Sequence, residues 1–156
     1  MQSGRLGSTP SAASQRMAPI EPDEVAPGLV VFIDPKMSAA DEHVTCTKDP
    51  PTERSGPFVC VSVDGNTSEW MPLTTEPRRE RLPIRSEWRS GGHPQWLRAG
   101  QYLNDGANVW RGPTTAFINA SYEELTDRET RARVLDAGLA AIQRETASQR
   151  RRRDRP

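Results

Sequence analysis

Phe58-Val-Cys-Val-Ser-Val-Asp64, then Gly65-Asn66, then Glu69-Trp-Met-Pro-Leu-Thr-Thr75: this stretch decides the fold. Val59, Val61 and Val63 alternate with Phe58, Cys60 and Ser62, which is the period of two that a β-strand imposes on its side chains. The alternation therefore predicts one face carrying the valines and the other carrying Phe58, Cys60 and Ser62. Asp64-Gly65-Asn66 is a tight-turn signal. The run from Glu69 to Thr75 is expected to return as the partner strand. Pro72 has no amide to donate, so this strand should lie at an edge there or carry a bulge.

On the N-terminal side, Gly28-Leu-Val-Val-Phe-Ile-Asp34 is a short apolar, β-branched run between Pro27 and Pro35, and it reads as a buried strand. Met37 to Gly56 is polar, contains Asp49-Pro50-Pro51, and reads as a long loop. On the C-terminal side, Arg81-Leu-Pro-Ile-Arg85 reads as a short strand. Gly91-Gly92-His93-Pro94 breaks the chain, and Gln101 to Asn108 is turn-rich. Asn108 to Arg111 and Ala116 to Asn119 read as short closing strands. Thr126 and Glu129 have the spacing of a helix capping box. Beyond it, Val134, Leu135, Leu139 and Ile142 form one apolar stripe, with Arg131, Arg133, Arg144 and Glu145 opposite. The expected fold class is mostly β with a C-terminal helix, built as a small barrel or half-open sheet.

Composition agrees with strands joined by turns: 14 prolines and 11 glycines in 156 residues, 34% hydrophobic and 27% charged. Met1 to Ala26 is rich in Ser, Ala, Gly and Pro and reads as a disordered tail. Residues 27–147 read as the folded domain, and residues 148–156, with their arginine run, as a basic disordered tail. The net charge is zero, yet six arginines face two glutamates between Arg78 and Arg98, while acidic residues gather at Glu21 to Glu24 and Asp41 to Glu53. A local basic face can meet phosphate on a neutral protein. No apolar run approaches the roughly 20 residues that span a bilayer. With no apolar leader either, a cytoplasmic, non-membrane location is expected, and Cys46 and Cys60 are expected as free thiols. His43-x-x-Cys46 has ligand-like spacing but no second pair follows, so no metal and no cofactor are expected.

The order of these pieces resembles the PemK/MazF family of toxin endoribonucleases. Gly28-Leu-Val-Val-Phe-Ile-Asp34 stands where that family has Gly-Asp-Ile-Val-x-Val-Asp. Gly56-Pro57-Phe-Val-Cys-Val-Ser-Val63 stands where it has Arg-Pro and a strand of valines. Pro72-Leu-Thr-Thr75 resembles its Pro-Leu/Ile-Thr-Ser/Thr element, and Leu103 to Trp110 its approach to the last core strand. The helix expected from Asp127 sits where the family's last helix sits. The resemblance implies a small SH3-like barrel over 27–147. It also implies a metal-independent endoribonuclease toxin of a type II toxin–antitoxin system, a homodimer, and RNA and an antitoxin as partners.

On that resemblance Thr74 takes the place of the catalytic Thr or Ser, and the position of the catalytic arginine is Gly56. Arg54 or Arg78, with Arg79 as a further candidate, is expected to supply the cation. An arginine suits that role because its planar fork gives two charge-assisted bonds to a phosphate. Thr75, Arg79 and Arg81 are expected to contact RNA. Trp88 and Trp96 lie among Arg85, Arg89 and Arg98 and are expected to stack on bases, while Trp70 and Trp110 belong to strand-like runs and are expected in the core. The alternative is a noncatalytic SH3-like protein-interaction module, degenerate at the catalytic arginine.

Overall fold

The computed structural model describes residues 20–48, 50–51, 54–92, 94–104, 108–122 and 131–153. The hairpin forms: β3 is Gly56–Asp64 and β4 is Thr67–Thr74, antiparallel from Phe58↔Pro72 to Asp64↔Thr67. β1, Leu29–Ile33, pairs antiparallel with the first part of β3, from Val30↔Val59 to Ile33↔Gly56. A one-turn helix α1, Pro35–Ser38, and a two-residue strand β2, Thr45–Cys46, lie within the segment expected as a loop. Further on come β5 (Arg89–Ser90), α2 (Pro94–Arg98), β6 (Tyr102–Leu103) and β7 (Trp110–Pro113). The chain then continues through α3 (Thr114–Ala120), β8 (Ser121–Tyr122), β9 (Ala132–Val134) and α4 (Asp136–Arg153).

The strands make one mostly antiparallel sheet in the order β2-β7-β4-β3-β1-β9-β5, with β6 on β4 and β8 on β1. Among the described residues no ladder joins β2 to β5, so the path is open. Both faces are buried. Leu29, Val31, Ile33, Phe58, Cys60 and Trp70 face a core covered by Phe117 and Ile118 of α3. Val30, Val59, Val61, Met71 and Leu73 face a second core that includes Ile84, Trp96 and Ile142 of α4. Trp70 and Trp110 are both core residues, 0% and 2% exposed.

One irregularity re-aims the end of the hairpin. The register shifts between Cys60 and Ser62, leaving Val61 as the extra residue of a bulge. Val61 keeps its side chain in the second core, and its carbonyl accepts a bond from Gln143 Nε2 of α4 at 3.1 Å. Past the bulge the faces exchange. Ser62 lies opposite Glu69 and donates to its carboxylate at 2.8 Å, while Val63 lies opposite Ser68 on the Trp70 side. Val63 therefore leaves the face of Val59 and Val61, against the simple alternation, and is 38% exposed.

Pro72 is tolerated for a different reason from the one expected. β4 is central, but its far side changes partner: β7 pairs with Thr67 to Trp70 and β6 with Leu73 and Thr74. Pro72 falls in the gap between those ladders, where its carbonyl accepts from Asn104 N at 3.0 Å. Ala116 to Asn119 is helix rather than strand, because the Thr114 amide bonds to Asn66 O at 2.7 Å and turns the chain so that Ala116, Phe117 and Ile118 cap the first core. Arg81 to Arg85 contributes only the isolated bridge Pro83↔Tyr102.

The stripe from Val134 to Ile142 is split. Val134 pairs with Arg89 at the end of β9 and donates its amide to Gly28 O at 2.7 Å, and the helix starts at Asp136. Thr126, Asp127 and Glu129 lie outside the described residues. α4 runs on through Arg153, so the part of the expected 148–156 tail up to Arg153 is helical. Arginine and glutamine are good helix formers, and Gln149 bonds to Glu145 at i, i+4. Residues 20–26, expected as tail, are anchored instead. Ile20 is 2% exposed, and its amide donates to Ser121 Oγ at 3.2 Å. Glu24 receives two bonds from Arg131, at 2.8 and 3.0 Å.

That fork holds the Glu24 carboxyl below its ordinary value, the Arg131 hydrogen bond being the main cause. A carboxylate with a lowered folded pKa contributes stability that is complete above the unfolded value and is lost as pH falls through the folded one. Glu24→Gln is expected to cost about 1 kcal/mol at neutral pH and to flatten the acid limb of a chemical-denaturation profile. An unchanged acid limb would refute the assignment.

Neither Cys46 nor Cys60 is in a disulfide. Burial pushes the Cys60 thiol up to about 12. It should resist alkylation at pH 8 in the native protein and react once urea unfolds the sheet, as read by mass spectrometry.

Candidate functional site

Thr74 ends β4, opposite Tyr102 of β6. Its hydroxyl oxygen accepts the Glu76 amide at 3.1 Å, a local turn that leaves the hydroxyl proton free to donate elsewhere. Thr75 is exposed beside it. The β3–β4 ladder ends at Phe58↔Pro72; Gly56, two residues before Phe58, pairs with Ile33 of β1, and Arg54 precedes β3 by two residues. A Cβ at Gly56 would meet nothing within 4 Å.

The arginines of this end are not equivalent. Arg78 forks onto the Glu76 carboxylate, Nε and Nη2 both at 2.9 Å, and both side chains are open to solvent. Arg78, reinforced by Arg81, holds the Glu76 carboxyl below the usual carboxylate range. Arg81 is 13% exposed along its side chain and is occupied by the backbone: Nε donates to Asn104 O at 3.0 Å and Nη1 to Glu76 O at 2.7 Å. It ties the turn after β4 to the segment after β6. Arg54 and Arg79 are exposed and have no ion-pair partner among the described residues.

The two candidate stacking tryptophans serve packing. Trp96 is 6% exposed, donates Nε1 to Ser90 O at 3.2 Å, and carries Arg89 over its ring at 5.8 Å. Arg89 in turn donates to Trp96 O and Ala99 O at 2.7 and 2.6 Å, so its guanidinium closes the C-terminal end of α2. Trp88 is half-buried beneath α4, where a Cβ on Gly138 would come within 2.8 Å of it. Arg85 lies over the Trp88 ring at 5.5 Å and pairs with Glu87 at 3.2 Å. The structure thus gathers Thr74, Thr75, Glu76, Arg78 and Arg81 in one turn, while Arg54 is exposed two residues before Gly56. Trp88 and Trp96 belong to a separate packing unit between β5, α2 and α4. Glu76 escaped sequence reasoning; its signal was the Thr74-x-Glu76 spacing that closes a side-chain turn.

At the other end of the hairpin lies a cavity of 440 Å³ lined by Pro22, Val25, Val63, Gly65, Asn66, Pro113, Thr114, Thr115 and Ile118. β3 separates the two features by roughly 25 Å, from the rise of an extended strand.

Comparison with family models, with curated proteins and with solved structures returned no match. Among the described residues, no helix is long and apolar enough to cross a membrane.

Proposed function

We propose that this protein binds RNA at the open end of the β3–β4 hairpin, as a PemK/MazF-like protein that cleaves RNA weakly or not at all because glycine stands at the position of the catalytic arginine. The observation that carries this reading is that the last β3–β4 pair is Phe58↔Pro72, with Gly56 two residues before it and Thr74 two residues after it, and exposed Arg54 and Arg79 on the flanking segments. Thr74 donates a hydrogen bond to a phosphoryl oxygen, Arg54 and Arg79 supply positive charge, and Arg78 joins them when a phosphate displaces Glu76. Thr75 borders the same surface. Arg81 orders the turn rather than touching RNA. A threonine hydroxyl is a poor base at neutral pH, so removing the 2′-hydroxyl proton has no strong agent here. The resemblance extends the proposal to a homodimer, an antitoxin partner, a cytoplasmic location and a reaction without metal or cofactor.

The test is anisotropy of a labelled single-stranded RNA together with a cleavage assay. Arg54→Ala and Arg79→Ala should each weaken binding about tenfold at low salt and lower the salt slope by about one. Thr74→Ala should weaken it less. Gly56→Arg fits the open position and should raise cleavage at least a hundredfold, the order that one charge-stabilising donor supplies. Binding indifferent to Arg54, Thr74 and Arg79 would sink the RNA reading. Binding that persists while Gly56→Arg stays inactive would sink the catalytic part alone.

A second reading, a noncatalytic SH3-like protein-interaction module, is favoured by one observation: the apolar cavity at the far end of the hairpin.

A further inference from the structure

Cys46 lies in β2, the strand that ends the sheet path, and its side chain is half-buried. Its thiol donates to Asn108 Oδ1 at 3.0 Å, and its register partner on β7 is Trp110. Asn108 is 0% exposed, and its Nδ2 has no hydrogen-bond partner among the described residues. The indole N–H of buried Trp110 is unpaired as well. One of these two buried donors thus belongs to the side chain that already holds the sulfur. A thiol is too weak an acceptor to satisfy it. The frame is fixed: Thr47 N donates to Val109 O at 3.0 Å and Val109 N to Thr47 Oγ1 at 2.9 Å, which keeps Cys46 beside Asn108.

Oxygen on the sulfur changes the balance. A sulfenic acid carries its own O–H and a good acceptor oxygen, so it matches an amide that offers Oδ1 and Nδ2 side by side. Cys60 differs on each count. It is 0% exposed, its thiol donates to the Ser62 carbonyl at 3.6 Å, and burial pushes that thiol up to about 12. Nor can Cys60 trap an oxidised Cys46. The two are joined by the row Cys46↔Trp110, Trp110↔Trp70, Trp70↔Cys60. Three strand spacings are roughly 14 Å along the sheet, twice the ~7 Å between Cα atoms that a disulfide spans.

We infer that Cys46 is a reversible oxidation site, converted by hydrogen peroxide to a sulfenic acid that the Asn108 amide holds. The Cys46 sulfur attacks one peroxide oxygen. The S–O bond forms as the O–O bond breaks, and the leaving hydroxide takes up the thiol proton as water. Sulfur loses two electrons and the peroxide gains them. A small thiol reverses the step: one molecule displaces water to give a mixed disulfide, and a second releases Cys46 as the thiol. Asn108 is a positioning residue for this chemistry, which is independent of RNA binding.

The experiment treats the full chain with a few equivalents of hydrogen peroxide, removes the peroxide, and adds dimedone after increasing delays. Mass spectrometry then reads the adduct on each cysteine. Native protein should carry it on Cys46 and not on Cys60, and the Cys46 sulfenic acid should outlive that of the urea-unfolded chain about tenfold. Dithiothreitol added before dimedone should abolish the adduct. Asn108→Leu, of similar shape but without polar atoms, should shorten the native lifetime about tenfold. Its iodoacetamide labelling of Cys46, which reports access alone, should change less than about twofold. The comparison of native with unfolded wild type decides the matter even if that variant does not fold. A Cys46 adduct no longer-lived in the native chain than in urea would overturn the inference. So would equal adducts on both cysteines, or sulfinic acid formed with no adduct at any delay.

Discussion

Trp70→Ala is expected to remove about 3–5 kcal/mol of folding stability, read as the loss of free energy extrapolated from urea unfolding. Trp70 is 0% exposed at the centre of the first core. Its ring lies 5.8 Å from that of Phe117, so the same side chain carries the sheet and the helix that covers it. Its indole N–H is also satisfied, donating to Ser68 Oγ at 2.8 Å. Truncation therefore leaves a cavity under α3. Trp70→Phe keeps much of the ring and surrenders the hydrogen bond. Ser68 retains its contact with Thr114 Oγ1 at 3.1 Å, so this variant should lose only about a third to a half as much. A loss below about 1 kcal/mol for the alanine variant would mean that α3 does not depend on this face.

Gly28→Ala should be nearly as damaging, about 3 kcal/mol, through backbone rather than packing. Gly28 has φ +99°, and a Cβ there would stand 2.5 Å from Val134 O. The residue cannot move away cheaply, because its amide donates to Cys60 O at 2.7 Å and its carbonyl accepts from Val134 N at 2.7 Å. It stitches β3 and β9 at the start of β1. Gly65→Ala is the control: its φ is +61°, but nothing lies within 4 Å of the added Cβ, so only the left-handed backbone cost of about 1 kcal/mol applies. Equal losses in the two variants would show that the approach of Val134 O contributes nothing.

How far the candidate site was legible follows the same division between local and distant causes. Thr74 at the end of a strand, beside a turn rich in arginine, is readable from alternation and turn chemistry. Which of those arginines remain free is not. Arg81 is consumed by Asn104 O, 23 residues away, and Arg89 by carbonyls of α2; neither acceptor is visible until the chain folds back. Trp88 and Trp96 look alike among their arginines in the sequence, yet both pack inward because the chain brings α4 and α2 against them. The cavity was illegible for one reason: a single extra residue at Val61 moves Val63 to the opposite face, and nothing in Val-Cys-Val-Ser-Val marks where a bulge will fall.

The sequence by itself determined the hairpin, the first strand, the two core tryptophans, the mostly β class and the presence of a C-terminal helix. These follow from backbone sterics, turn residues and side-chain periods acting within a few residues of one another. The tertiary structure alone decided that Ala116 to Asn119 coils rather than pairs. It also decided that Val134 belongs to a strand while Ile142 belongs to a helix, that Ile20 is buried, and that both faces of the sheet carry a core. Each of these turns on a partner more than ten positions away, and a short apolar segment takes whichever conformation lets that partner satisfy its amides and cover its side chains.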